Sequence, residues 1–265
     1  MTGSLVPATR DSLALLLLAM ADDEFVIGWS DSEWTGIAPL LEEDVAMSSL
    51  AQDELGHAKA LYELLAELEA EAGSADAGSA DADAIAYDRP PEGHYHARLL
   101  DHAPTDWAAT MARRFLYETA DAVRLEALAD SAWRPLAELV AKLRREERYH
   151  LLHVSTWLER LAFRDGEPRR RLLAALDDLG PDASTVLAPL PNELALEMAG
   201  IVARPSRDLE ARWRAAIGPT FERLRLPMPP PLADATGARS DHSDAFRRLW
   251  ADATSVRASD PAATW

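Results

Sequence analysis

Apolar residues recur at intervals of three and four along most of the chain, a spacing that places them on one face of an α-helix. Alternating runs of β-branched residues, which would predict strands, are scarce. The pattern therefore predicts four long helices followed by shorter ones. The long helices cover about residues 10–29, 40–70, 105–129 and 135–163, and the shorter ones about 167–178, 191–202, 206–224 and 241–258.

Two segments interrupt the helical pattern. Residues 71–92 contain the low-complexity run GSADAGSADAD and end in two prolines. Because this composition buries little apolar surface, it predicts a flexible acidic loop. A proline-rich stretch, LPMPPPLADATGARSD, predicts a second loop before the last helix. We expect one all-α domain over residues 1–265, with a four-helix core bundle at about 10–165 and a C-terminal helical annex at about 166–265.

The overall composition argues against several classes of function. The chain has no cysteine, which excludes disulfides and cysteine-ligated zinc or iron–sulfur clusters. Its formal net charge of -18 argues against a nucleic-acid partner, because a polyphosphate requires a basic surface. The apolar run near the N-terminus is interrupted by ADDE, short of the roughly 20 residues that a membrane span requires. We therefore expect a cytoplasmic protein with no membrane association.

A Glu-x-x-His motif occurs twice. LAQDELGHAKAL places Glu54 and His57 in the second long helix, and RREERYHLLH places Glu147 and His150 in the fourth. Residues three apart lie on the same face of a helix, so each pair can act on one site. One such pair is more often an ordinary surface pair. The repetition of the motif within one helical chain indicates a metal site.

Each motif is preceded by a further glutamate at a similar distance. Glu24 lies thirty residues before Glu54, and Glu118 lies twenty-nine residues before Glu147. Di-metal carboxylate bundles take a single glutamate from each of two helices and a Glu-x-x-His from each of the other two. We therefore predict that six side chains bind two divalent irons, or manganese, which such sites also accept. They are Glu24, Glu54, His57, Glu118, Glu147 and His150.

An acidic residue also stands directly before each motif glutamate. Metal-bound imidazoles usually donate their second N–H to a carboxylate or carbonyl. We therefore predict that Asp53 orients His150 and that Glu146 orients His57, each as a supporting residue behind the ligands.

Some residues have simpler interpretations. Asp22 and Asp23 stand beside Glu24, so an alternative for this acidic run is that it ends a solvated turn. Four other histidines lack a partner at ligand spacing, and we expect them at the surface or at an interface. These are His94, His96, His102 and His242.

Two long segments resemble a known family. DDEFVIGWSDSEWTGIAPLLEEDVAMSSLAQDELGHAKAL and ARRFLYETADAVRLEALADSAWRPLAELVAKLRREERYHLLHVSTWLERL are similar to the phenylacetic acid catabolic protein family, the ferritin-like subunits of phenylacetyl-CoA 1,2-epoxidase. The resemblance covers nearly the whole chain except the acidic loop. It implies an all-α, ferritin-like four-helix bundle with additional C-terminal helices.

The resemblance combines features of two related subunits. The SEWTGIAPLLEEDVA segment and the DPAATW tail resemble the C-type subunit, a scaffold that has lost most of its ligands. The six predicted ligands instead match the A-type subunit, which carries the di-iron centre. A scaffold has no physical reason to retain four carboxylates inside a bundle, because buried charges of one sign are costly unless cations neutralise them.

The resemblance implies a di-iron monooxygenase, or a subunit of one, that activates O₂ to epoxidise an aromatic acyl-CoA in phenylacetate catabolism. Electrons would come from a reductase, and we expect a homo- or hetero-oligomer with a related ferritin-like subunit. Two alternatives remain: a non-catalytic structural partner subunit, and a ferritin-like iron oxidase or manganese catalase. The substrate pocket is predicted to include Met20, Met111 and Phe115.

Overall fold

A computed structural model describes residues 5–71, 81–163 and 165–260. These residues form helices and no strands, which confirms the predicted all-α, ferritin-like helical class. No helix in these ranges is both long and apolar enough to cross a membrane. The α-helices are α1 (Pro7–Ser32), α2 (Leu41–Ala70), α3 (Ala82–Tyr87), α4 (Trp107–Leu128), α5 (Arg134–Ala162), α6 (Glu167–Leu179), α7 (Glu193–Met198), α8 (Ser206–Leu224) and α9 (Asp244–Ser259).

The predicted helices agree with the observed ones except at particular points. The predicted helix 191–202 is shorter than expected, since only Glu193–Met198 is α-helical. α1 begins earlier than predicted, at Pro7, because proline suits the first turn of a helix. The prediction of a continuous acidic loop over 71–92 is wrong within Ala82–Tyr87, which forms α3. Asp81 caps this helix by accepting from the backbone N–H of Ala84 at 2.8 Å. Residues 72–80 of that loop, and 261–265 of the DPAATW tail, lie outside the described ranges.

The chain divides into two compact units. One, here called the α2 unit, comprises Leu17–Ala103 and Arg239–Trp265. The other, here called the α4 unit, comprises Met1–Leu16 and Pro104–Ala238. α1 contributes its first residues to the α4 unit and the rest to the α2 unit.

The α2 unit contains most of α1 together with α2, α3 and α9. The buried face of α2 follows helical spacing through Met47, Leu50, Leu61 and Leu68. Two motif residues, Glu54 and His57, occupy positions in the same buried stripe. The ligand candidates of this helix therefore occupy buried positions at which the helical pattern would otherwise place apolar residues.

The α4 unit contains α4 to α8, and α4 packs against α5, α6 and α8. Asp106 caps α4 by accepting from the backbone N–H of Ala109 at 2.9 Å. The buried stripe of α5 is interrupted by two polar residues, Glu147 and His150. α8 is attached to α4 by Trp213, whose indole N–H donates to Thr119 Oγ1 at 2.9 Å.

Candidate metal centre

Three predicted ligands converge within the α2 unit. The His57 Nδ1 atom lies 3.7 Å from Glu24 Oε2 and 3.6 Å from Glu54 Oε2. All three side chains are at most 2% exposed. We call Glu24, Glu54 and His57 the Glu54 triad. It joins a single glutamate of α1 to the Glu-x-x-His pair of α2, as predicted.

A glycine on α1 allows α2 to approach closely at this point. A Cβ atom built on Gly28 would lie 3.0 Å from the Glu54 Cβ, 3.1 Å from the Leu55 Cγ and 3.2 Å from the Ala51 carbonyl oxygen. These separations are tighter than ordinary van der Waals contacts, so a side chain at this position would require its neighbours to shift by a few tenths of an ångström. Gly28 therefore sets the distance between the helices that bear Glu24 and Glu54. The helical pattern gave no signal for this role.

The acidic run around Glu24 is not a solvated turn. Asp22 and Asp23 are fully buried, in the interior of α1. Asp23 accepts from the Arg239 guanidinium at 3.0 and 3.1 Å and from the backbone N–H of Ala97 at 2.7 Å. The alternative interpretation of this run is thus wrong, because its aspartates have partners elsewhere in the α2 unit.

Asp22 forms a separate buried network. It is paired with the guanidinium of Arg89, and it accepts from the Tyr62 hydroxyl at 2.5 Å and from the Tyr95 backbone N–H at 2.6 Å. Burial raises the pKa of Asp22, but the attraction and hydrogen bonds of Arg89 and Tyr62 outweigh it, so the pKa lies below its ordinary value. Asp22, Asp23 and Glu24 are consecutive on α1, yet their side chains contact different partners. These are Arg89, Arg239 and His57, respectively.

The other three predicted ligands converge within the α4 unit. The His150 Nδ1 atom lies 3.4 Å from Glu147 Oε2 and 4.0 Å from Glu118 Oε1. Glu118 and His150 are at most 2% exposed, and Glu147 is 7% exposed. We call Glu118, Glu147 and His150 the Glu147 triad. It joins the single glutamate of α4 to the Glu-x-x-His pair of α5.

The Glu147 triad has a neighbour that the sequence pattern did not predict. The guanidinium of Arg114, one turn before Glu118 on α4, donates to Glu118 Oε1, and both side chains are fully buried. A buried arginine supplies positive charge where a divalent cation would otherwise supply it. Its spacing of four residues from Glu118 was the available signal.

The supporting residues and the pocket residues stay predictions. Asp53 is exposed and Glu146 is half-buried. Met20 and Met111 are fully buried, and Phe115 is 3% exposed. The Phe115 ring lies 5.9 Å from that of Phe221 on α8, so it also contributes to the packing of the α4 unit.

Two of the remaining histidines are not at the surface. His94 is 2% exposed and His96 is fully buried, while His102 and His242 are half-buried. Burial lowers the pKa of His94 to about 4, so this ring is neutral near pH 7. His96 lies in a cluster with Asp101 and His242. The expectation of surface positions is wrong for His94 and His96. The loop before α4, which contains both residues, is covered by the segment that leads into α9, where His242 contacts the His94 carbonyl oxygen.

The donor chemistry of each triad fits a divalent cation. Each offers two carboxylates and one imidazole, the ligand types that iron and manganese accept. The separations of 3.4 to 4.0 Å exceed those of good hydrogen bonds, which are about 2.7–3.2 Å. Two donors bound to one ion at about 2.0–2.2 Å lie roughly 3.0–3.5 Å apart. The triads are therefore close to the spacing of ligands that share an ion.

Comparison with known proteins yields two findings. A family model described as "Phenylacetic acid catabolic protein" matches residues 3–265. The C subunit of 1,2-phenylacetyl-CoA epoxidase from Escherichia coli (strain K12) is 28% identical over 229 residues, which cover 86% of this chain and 89% of the relative. The family match includes both triads.

Proposed function

Since the chain belongs to the phenylacetic acid catabolic protein family, we propose that each of its two triads binds an iron ion and that it is a di-iron oxygenase component. The observation that carries the proposal is the convergence, in each unit, of a single glutamate with a buried Glu-x-x-His pair. Similarity to one component of a phenylacetyl-CoA epoxidase supports an aromatic acyl-CoA substrate in phenylacetate catabolism.

The charges of the proposed ligands support a pair of divalent ions. Four carboxylates carry a formal charge of about -4 when ionised, and Arg114 offsets about one of these charges beside Glu118, so about three negative charges remain for divalent ions to neutralise. Without cations, the two carboxylates within each triad would repel each other. A bound iron pair would supply the redox chemistry for O₂ activation.

The residues of the chain would position the ions and protect the reaction from water. Each histidine directs its Nδ1 atom toward the carboxylates of its own triad, which leaves Nε2 to carry the proton of the neutral ring. Met20 and Met111, both fully buried, and Phe115 would provide apolar walls next to the ligand-bearing turns. Apolar walls strengthen electrostatic interactions and exclude water from a reactive site.

The electron balance of epoxidation requires a partner protein that supplies electrons. Epoxidation places one oxygen atom of O₂ on the ring and releases the other as water, which consumes two electrons and two protons. The chain has no cysteine to hold an iron–sulfur cluster. We therefore propose that a reductase delivers the electrons, within an assembly that includes a related ferritin-like subunit.

A second function, that of a structural partner in such an assembly, is favoured by two observations. The Arg114 guanidinium neutralises Glu118 without any metal. The similar protein from Escherichia coli is the C component of its epoxidase. In this alternative the ion pair takes the place of a cation, and a related ferritin-like protein carries the reaction.

Metal analysis of the purified chain separates these functions. The oxygenase proposal predicts two irons per chain, and loss of metal in Glu54→Ala and His150→Ala, whereas Lys59→Ala, an exposed neighbour of the motif, should retain both ions. Oxygen consumption that requires both phenylacetyl-CoA and a reductase would support epoxidation. A folded chain without bound metal, or full metal content in both variants, would overturn the proposal.

A further inference from the structure

A second group of metal-binding side chains lies in the α2 unit, away from the family's ligand motif. His96 and Asp101 belong to the loop before α4, and His242 belongs to the segment that leads into α9. Each offers a ligand atom, and these atoms lie within 4.8 Å of one another. His96 is fully buried and Asp101 is 6% exposed. We call these three residues the His96 cluster.

The distances in the His96 cluster are those of ligands that share one ion. His96 Nε2 lies 3.4 Å from Asp101 Oδ1, and His242 Nδ1 lies 3.5 Å from Asp101 Oδ2. Nitrogen and oxygen ligands bind zinc at about 2.0–2.2 Å, so two ligands at tetrahedral angles are roughly 3.3–3.5 Å apart. Good hydrogen bonds between such atoms are shorter, at about 2.7–3.2 Å.

A hydrogen bond fixes the orientation of the His242 ring. Its Nε2 atom lies 2.8 Å from the carbonyl oxygen of His94, and since a carbonyl oxygen only accepts, Nε2 carries the proton. In the neutral ring, Nδ1 then directs its lone pair toward the Asp101 carboxylate. Metal-bound histidines characteristically donate their second ring N–H to a carbonyl or carboxylate in this way.

Asp101 is also held in place. Its Oδ1 atom accepts from the backbone N–H of Ser243 at 3.1 Å, and the Ser243 hydroxyl donates to the Asp101 carbonyl oxygen at 2.9 Å. Ser243 in turn caps α9 through the backbone N–H of Phe246 at 3.2 Å. The carboxylate therefore has a fixed direction at the start of α9.

The His96 ring provides independent evidence for a ligand. The side chain is fully buried, and within the described part of the chain its Nδ1 atom makes no hydrogen bond, while its Nε2 atom lies 3.4 Å from Asp101 Oδ1, longer than a good hydrogen bond. Its Nε2 atom points toward Asp101, and the ring lies between those of His242 and Phe246, with centroids at 4.4 and 4.2 Å. A buried polar atom without a hydrogen bond is uncommon and calls for an ion or another partner.

We propose that His96, Asp101 and His242 bind one zinc ion, with a water molecule at the fourth position. This ion is separate from the iron pair proposed above, and its role is structural. It attaches the start of α9 to the loop before α4. The proposal does not depend on the oxygenase function, because none of its ligands belongs to either triad.

Cobalt titration of the metal-free, full-length chain tests this site. Tetrahedral cobalt absorbs visible light much more strongly than octahedral cobalt, so the first tight equivalent should produce an intense band that zinc removes. His96→Gln and His242→Gln should abolish the band. Glu54→Gln, the matched control in the Glu54 triad, should retain it. Loss of the band in Glu54→Gln, or its persistence in His242→Gln, would overturn the proposal.

The wild-type chain provides a test that does not depend on the folding of a variant. X-ray absorption of the chain loaded with one equivalent of zinc should show two imidazole ligands, since each triad contains a single histidine. A shell with at most one imidazole would refute the assignment. Zinc should also raise the midpoint of thermal unfolding of the chelator-treated chain, and an unchanged midpoint would contradict the structural role.

Discussion

The two triads use the same ligand types but differ in the residue one turn before the single glutamate. In the Glu54 triad this position, four residues before Glu24, is Met20, whereas in the Glu147 triad it is Arg114, four residues before Glu118. Both side chains are fully buried. The Glu147 triad is therefore partly neutralised by its own helix, and the Glu54 triad has an apolar neighbour at the matching position.

The residues between these positions differ as well. On α1, Asp22 and Asp23 precede the glutamate and form buried ion pairs. On α4, the matching residues are Leu116 and Tyr117, which are fully buried. A repeated ligand pattern therefore does not imply a repeated environment. Glu24 follows two aspartates that form buried ion pairs, whereas Glu118 follows two buried, largely apolar side chains and is paired with Arg114.

The largest expected effect comes from replacing Arg114 of α4 with methionine, the residue at the matching position of α1. Arg114→Met removes the buried cation beside Glu118, which should lower the free energy of unfolding of the metal-free chain by about 3–5 kcal/mol. Denaturant unfolding measures the change, and added divalent metal should restore part of the loss.

An exposed pair provides the control for this variant. Arg134 and Glu138 have the same four-residue spacing at 3.3 Å, with side chains 86% and 70% exposed. Arg134→Met should change stability by less than about 0.5 kcal/mol. Equal effects of the two substitutions would show that the Arg114 pair contributes no more than a surface pair.

The next effect concerns the order in which the triads bind metal. Glu24→Gln should weaken binding of the first ferrous ion by about 100-fold, because the Glu54 triad has no arginine on its own helix one turn before the glutamate. Glu118→Gln should affect binding of the first ferrous ion less. Calorimetric titration of both variants measures this order, and a larger effect of Glu118→Gln would reverse the comparison.

A moderate effect is expected from the close helix contact in the α2 unit. Gly28→Ala places a methyl group 3.0 Å from the Glu54 Cβ, which should cost about 1–3 kcal/mol of stability and weaken metal binding. Gly56→Ala is the matched control, since a Cβ there has nothing within 4 Å, and it should be neutral or stabilising by up to about 1 kcal/mol. Equal metal affinity in both variants would argue against the spacing role of Gly28.

The smallest effect, absent at neutral pH, is selective acid sensitivity of the α2 unit. The folded-state pKa of Asp22 lies below its ordinary value of 3.8. Its contribution to stability is therefore present above that value and is lost as pH falls through the lower, folded-state pKa. Hydrogen exchange should show that the Tyr95 amide, which donates to Asp22, loses protection below about pH 4 before amides of α4 do. Simultaneous loss in both regions would contradict this difference.

The sequence predicted the helices well because their evidence is local. Apolar spacing located the long helices to within a few residues, and α5 begins at Arg134 beside Pro135, close to the predicted residue 135. The prediction failed at α3, where six residues of an acidic, alanine-rich segment form a helix with a single capping side chain. Composition alone suggested a loop, since so short a helix depends on the packing of Ile85 and its neighbours.

The six ligand candidates were also accessible from the sequence, because helix geometry fixes which side chains share a face. The structure brings the three candidates of each triad close together within its own unit, while metal binding by the six residues remains a prediction. Contacts between residues distant in the chain could not be predicted in this way. Asp23 and Arg239 are 216 residues apart, and no local pattern relates them.

The helical class, the repeated ligand motif and, through family membership, the proposed chemistry all follow from the amino-acid sequence. The three-dimensional fold revealed that Asp22 and Asp23 are buried in ion pairs, because charge compensation depends on groups that folding brings together. It likewise assigned Gly28 to a helix contact and His96 to a cluster with Asp101 and His242. These roles depend on distances between segments, which short-range spacing does not encode.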